Sequence, residues 1–129
     1  MTDIIPCAAA RKELGKKFLD FKYFALDSDA TAYNPATQSG PITEITTNGG
    51  ARAEGSASHD PSTGIVTLAK TFNFTGTVSV KAICPMNSGS AGAGVGLCRY
   101  IPDSGSLPES FGNGGSLMVT FTAQMNAPA

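Results

Sequence analysis

Charge is scarce in this chain of 129 residues: Asp, Glu, Lys and Arg together make up 15% of it, against about 25% in an ordinary soluble domain. The nine basic and ten acidic residues nearly cancel, for a formal net charge of -1. No broad field therefore reaches toward nucleic acid or an anionic membrane, and neither is expected as a partner. Tryptophan is absent and histidine occurs once, at His59. One histidine gives little support to a Ser-His-Asp triad or a zinc centre. Placed before Asp60-Pro61, it reads as an exposed turn residue.

Cysteine is also sparse. Cys7, Cys84 and Cys98 form no CxxC pair, and one is left over from any intramolecular bridge. Reduced thiols and assembly in a cytoplasm are the expectation, with a Cys84–Cys98 bridge as the alternative. No apolar run approaches the roughly 18 residues of a membrane span. The stretch from Ile4 to Ala10 is short, and its positive charges follow it instead of preceding it, unlike a secretory leader.

What the chain does have is small residues and two-residue periodicity. Between Gly64 and Phe74, Val66, Leu68, Phe72 and Phe74 share one parity and Thr67, Ala69, Thr71 and Asn73 the other, with Lys70 alone breaking the apolar side. That is the pattern of a half-buried strand. Val78, Val80, Ala82 and Cys84 alternate in the same way, and Thr75-Gly76 between the runs predicts a hairpin. With a strand over Arg52 to Ser58 and a turn at Asp60-Pro61-Ser62-Thr63-Gly64, residues 51 to 83 read as a three-stranded meander.

Other strands are expected at Phe21 to Asp27, apolar on both faces and so central or covered on two sides, at Ile42 to Thr47 as a short edge, at Leu97 to Ile101, and at Leu117 to Met125. Asn48-Gly49-Gly50 reads as a turn, and Pro102 to Gly115 as a loop. Ala8 to Leu19 favours a helix, with Leu14 and Phe18 on one face and Lys12 and Lys16 on another. The chain therefore reads as a mainly β, single-domain, β-sandwich or jelly-roll-like protein with a short N-terminal helix: residues 1 to 20 an arm and helix, residues 21 to 129 the β domain.

Chemistry-bearing patterns are weak. Asp27, Asp29 and Asn34 offer oxygens to a cation but lack the glycine and closing glutamate of an EF-hand loop, so no metal is expected. The glycine-rich run from Met86 to Gly96 has no Gly-Lys-Ser or Gly-Lys-Thr and leads into a strand pattern, so it does not read as a phosphate cradle, and no cofactor is expected. Glu44 and Glu54 are the pair kept for a rival hydrolase reading, since such a dyad needs two carboxylates facing one bond.

The ordered series Leu14-Gly15-Lys16-Lys17-Phe18-Leu19, Phe21-Lys22-Tyr23-Phe24-Ala25-Leu26, Ile42-Thr43-Glu44-Ile45, Ala51-Arg52-Ala53, Val66 to Phe72 and Val78 to Ala82 resembles a family of small tailed-bacteriophage virion proteins. The resemblance implies a non-enzymatic structural role. Its leading form is a capsid decoration, or cement, protein bound to the major capsid protein in a virion assembled in the host cytoplasm. A tail or fibre appendage, gripping carbohydrate through Tyr33, Tyr100 or Phe111 in loops, is the alternative. A homo-oligomer, with a trimer at lattice three-fold positions as one form, suits such repetition. The segment carrying Arg11, Lys12, Lys16 and Lys17, together with the loop that includes Met86 and Val95, is expected to make the contacts.

Overall fold

The computed structural model describes residues 15–29, 31, 38–101 and 110–124. The protein is mainly β; among the described residues it has three small antiparallel sheets and one short helix near the N-terminus. The helix runs over residues 15–21 and tightens in its last turn, Leu19–Phe21. Among the described residues eight strands follow: β1 (Tyr23–Asp27), β2 (Ala53–Glu54), β3 (Ser56–Asp60), β4 (Ile65–Asn73), β5 (Val78–Ser79), β6 (Ala82–Met86), β7 (Ser110–Phe111) and β8 (Ser116–Gln124). Their orders are β2-β1-β6, β3-β4-β8 and β5-β7.

The two-faced apolar run becomes the central strand of the first sheet. Phe24, Ala25 and Leu26 have no exposed surface, because β2 and β6 flank β1 while side chains cover both its faces. In the second sheet the alternation of β4 holds as written: Val66, Leu68, Phe72 and, just past its end, Phe74 are buried. Lys70 keeps to the same parity by laying its ammonium 6.0 Å from the centre of the Phe72 ring. One core cluster takes Phe24 and Leu26 from the first sheet, Leu68 and Phe72 from the second, and Val78 and Phe111 from the third. Side chains of this size each stabilise by roughly 1.5–3 kcal/mol when buried.

The expected hairpin across Thr75-Gly76 does not form. β4 pairs with β8 over nine residues, from Ile65 opposite Gln124 to Asn73 opposite Ser116. β5 pairs instead with β7, and β6 with β1. Alternation fixes which face of a strand is buried but not its neighbour. β8 offers β4 nine uninterrupted positions, whereas the run from Val78 onward is broken at Val80-Lys81, where the chain changes sheets. Asn48 holds the crossing: its carbonyl accepts from the Thr75 amide at 3.0 Å and its side-chain amide donates to the Thr77 carbonyl at 3.0 Å. The meander is thus corrected to β3-β4-β8, with its β3–β4 turn at Pro61 to Gly64 as expected.

The expected strand from Arg52 to Ser58 divides at Gly55, with β2 in one sheet and β3 in the other. The backbone is too close there for a side chain: a Cβ on Gly55 would lie 2.3 Å from the Ala69 carbonyl oxygen and 2.8 Å from the Phe24 ring. Asn48 and Gly49 form the anticipated turn, both at positive φ (56° and 81°), closed by the Gly50 amide on the Thr47 carbonyl at 2.9 Å. Ile42 to Thr47 and Leu97 to Ile101 are not strands; they touch the sheets through single bridges, Glu44 with Asp27 and Tyr100 with Ile83. The loop expected from Pro102 to Gly115 contains β7 at its described end. β8 alternates as expected, with Leu117 buried and Val119, Phe121 and Ala123 half-buried; Met125 lies outside the described residues.

Candidate interaction surface

Two loops that the sequence leaves without structure are each organised by one arginine. Arg52, just before β2, donates from Nε to Glu44 Oε2 at 2.9 Å and from Nη2 to Glu44 Oε1 at 2.6 Å. Its Nη1 donates to the carbonyls of Ser88 at 3.0 Å and Ala93 at 2.7 Å. The Gly92 amide completes the knot on Glu44 Oε1 at 3.2 Å. With side-chain exposures of 1% for Arg52 and 10% for Glu44, this is a nearly dry, two-pronged pair of the strong kind. The glycine-rich loop closes over it: the Val95 amide donates to Asn87 Oδ1 at 2.7 Å and the Asn87 amide to the Val95 carbonyl at 3.1 Å.

Arg99 organises the other loop. Its Nε donates to Asp27 Oδ2 at 3.0 Å, and its two remaining nitrogens donate to the carbonyls of Thr31 and Asp29. Asp27, at the end of β1, also accepts from the amides of Asp29, Ile42 and Thr43 at 2.9, 2.8 and 3.0 Å. Both oxygens of Asp27 are therefore committed to donors. Of the other oxygens weighed with it, Asp29 accepts from the Thr31 amide at 2.7 Å, and Asn34 lies outside the described residues.

These clamps bring the segments 38–46 and 86–96 side by side, joined by the Gly96 amide on the Ser39 carbonyl at 2.5 Å. A depression of about 420 Å³ lies between them, bordered by Pro41, Ile42 and Ala91 with Glu44 and Arg52 in its wall. Ile42, expected as an anchor, is 38% exposed, and Val95 is 52% exposed. The result is a neutral, partly apolar surface on a backbone pinned from below.

The expected contact residues divide. Val95 is on the surface, and Lys16 and Lys17 are exposed on the helix. Met86 lies in β6, 2% exposed, with its thioether against Gly40 and Gly96, and reaches the same depression from below. Its position at the strand's end, inside a run buried at every residue, outweighs its adjacency to the loop. Arg11 and Lys12 lie outside the described residues.

Among the residues weighed for chemistry, Glu44 is tied to Arg52 and Glu54 to Lys22, at 2.9 Å, so the two belong to separate ion pairs. His59 is corrected from an exposed turn residue to a β3 residue whose ring rests against Gly15, with Nε2 buried and, among the described residues, unpartnered. The ordinary strand parity of His59 with Ala57 was the signal for this. Cys84 and Cys98 are free thiols; burial, and then the nearby Asp27 charge, push Cys84 up to about 12, and burial raises Cys98. Among the described residues, no group of three His, Cys, Asp or Glu side chains is placed to hold a metal, and no helix is long and apolar enough to cross a membrane. Of the aromatics considered for carbohydrate, Tyr100 is 55% exposed, Tyr33 lies outside the described residues, and Phe111 is corrected to the core, its ring 4.8 Å from that of Phe74.

Neither arginine clamp was anticipated. Arg99 sits 72 residues from Asp27, beyond any local spacing rule; the available hint was a charge inside the apolar run Leu97 to Ile101. No protein family, curated protein or solved structure matches this chain.

Proposed function

We propose that this chain is a non-enzymatic virion structural protein, a capsid decoration protein that docks on the outer surface of the major capsid protein lattice and reinforces it. The observation that carries the reading is the buried Glu44–Arg52 knot, which ties together the two segments that bear the exposed Ile42 and Val95. A loop already fixed by buried, charge-assisted hydrogen bonds loses little conformational freedom on docking, and a neutral surface sheds its water at low cost. Many copies on a repeated lattice then multiply a modest interface. The likeness of the ordered segments to small phage virion proteins points the same way. In this reading the three sheets form a sandwich-like body, and the segment bearing Arg11, Lys12, Lys16 and Lys17 supplies a second contact.

The test is co-sedimentation with coat shells of the virus that encodes the chain. Binding should be lost on deleting residues 1–12 and weakened by Ile42→Asp with Val95→Asp. Full binding by both variants rejects the assigned surface, and no binding by the unaltered chain rejects the function. Tyr100, exposed at the rim of a groove lined also by Ile83, Pro85 and Met118, favours a second reading as a tail appendage that grips carbohydrate. Retention on an immobilised glycan that is lost in Tyr100→Ala supports it.

A further inference from the structure

The second sheet ends on β8, and among the described residues no strand pairs with the outer edge of β8. Edge strands are ordinarily kept short, charged, bulged or broken by proline, because their open amides and carbonyls attract another strand. β8 has none of these protections. Its nine residues, Ser-Leu-Met-Val-Thr-Phe-Thr-Ala-Gln, carry no charge, no proline and no glycine, and their register against β4 runs without an inserted residue.

The inner face of β8 is also left incomplete. Val66 and Leu68 of β4 are fully buried, whereas Ala123 and Phe121, directly opposite them, are only half-buried. A groove of about 480 Å³ opens along Leu117 to Thr122, facing Ile83, Pro85 and Tyr100, and Met118 on the outer face is 75% exposed.

We propose that β8 is a two-fold pairing edge, and that a second copy of this chain adds its own β8 antiparallel to it, joining two three-stranded sheets into one of six strands. The strand is complementary to itself. Centred on Thr120, antiparallel pairing sets Leu117 opposite Ala123, Val119 opposite Phe121, Met118 opposite Thr122, and Thr120 opposite its own copy. No like charges meet, and the inner row of Leu117, Val119, Phe121 and Ala123 continues across the junction. The other rim of the sheet, β3, is a poorer match for β8: it has five residues and ends on Asp60. Self-pairing therefore closes a dimer, where β8-to-β3 pairing would build a ring or a fibre. This inference does not depend on the virion reading.

Light scattering on the full chain tests it. The unaltered protein should have twice the monomer mass of 13.2 kDa. Thr120→Lys and Thr120→Glu, each placing a charge against its own copy, should each be monomeric with an unchanged far-ultraviolet dichroism spectrum. Mixed in equal amounts, the two variants should return to the dimer mass, since opposite charges now face each other at the centre. A monomeric or trimeric unaltered chain overturns the proposal. So does a dimer that survives in either single variant, or a mixture that stays monomeric.

Discussion

Arg99 Nε lies 3.0 Å from Asp27 Oδ2, and neither side chain has any exposure to solvent. Charges taken this far out of water stabilise only when every hydrogen-bonding position is filled. Here Asp27 accepts four hydrogen bonds, and Arg99 also donates to two backbone carbonyls. The pair is therefore a positional device: it draws Asp29, Thr31, Ile42 and Thr43 against the end of β1 and fixes one flank of the proposed docking surface. Asp27→Asn should destabilise the chain by about 3 kcal/mol or more, because it strands a buried guanidinium. Urea unfolding measures this, and a loss under about 1 kcal/mol would show the pair to be well hydrated.

The Glu44–Arg52 knot makes a second prediction. Glu44→Gln leaves the buried Arg52 guanidinium without its counter-charge, so it should destabilise the chain by about 3 kcal/mol and also free the glycine-rich loop, so that amide exchange at Gly92 and Val95 accelerates at least about tenfold, the effect of losing about 1.4 kcal/mol of local protection. Exchange unchanged at those amides would mean that the loop is held by its own turns alone.

Gly55 is predicted to be irreplaceable at the point where the chain leaves β2 for β3. Gly55→Ala pushes a methyl group against the Ala69 carbonyl, a backbone atom that cannot swing aside. A cost of about 1–3 kcal/mol is expected from such overpacking. Thermal unfolding of this variant beside Gly112→Ala, where no atom lies within 4 Å, separates crowding from a general loss of glycine.

These tests also mark how much was legible in the residues. Strand positions and buried faces were, because Val66, Leu68 and Phe72, or Leu117 and Phe121, carry a period that depends only on their own segment. Partnership was not: β4 alternates identically whether it pairs with Val78 to Cys84 or with β8, and the choice rests on strand length and on Asn48, 27 residues before Thr75. The clamps were invisible for the same reason. Asp27 and Arg99 meet only once β1 and β6 are side by side, and nothing near either residue announces the other.

Cys84 gives a pH-dependent prediction. Its thiol is pushed up to about 12 by burial and by the Asp27 charge, whereas in the unfolded chain a cysteine titrates near about 8.5. Between those values the folded state holds the extra proton, so this residue's contribution to stability is intact below the lower value and declines as pH rises above it. Alkylation at pH 8, read by peptide mass, should leave Cys84 unmodified in the folded chain and modify it fully in urea. Rapid modification without denaturant would contradict its burial.

The central claim, that this neutral, clamped surface attaches to a coat lattice, is tested most directly by electron microscopy of purified virions carrying a label on this protein. The account predicts label over the whole head, at hundreds of copies per particle. Label confined to the tail, or virions without any, would contradict it.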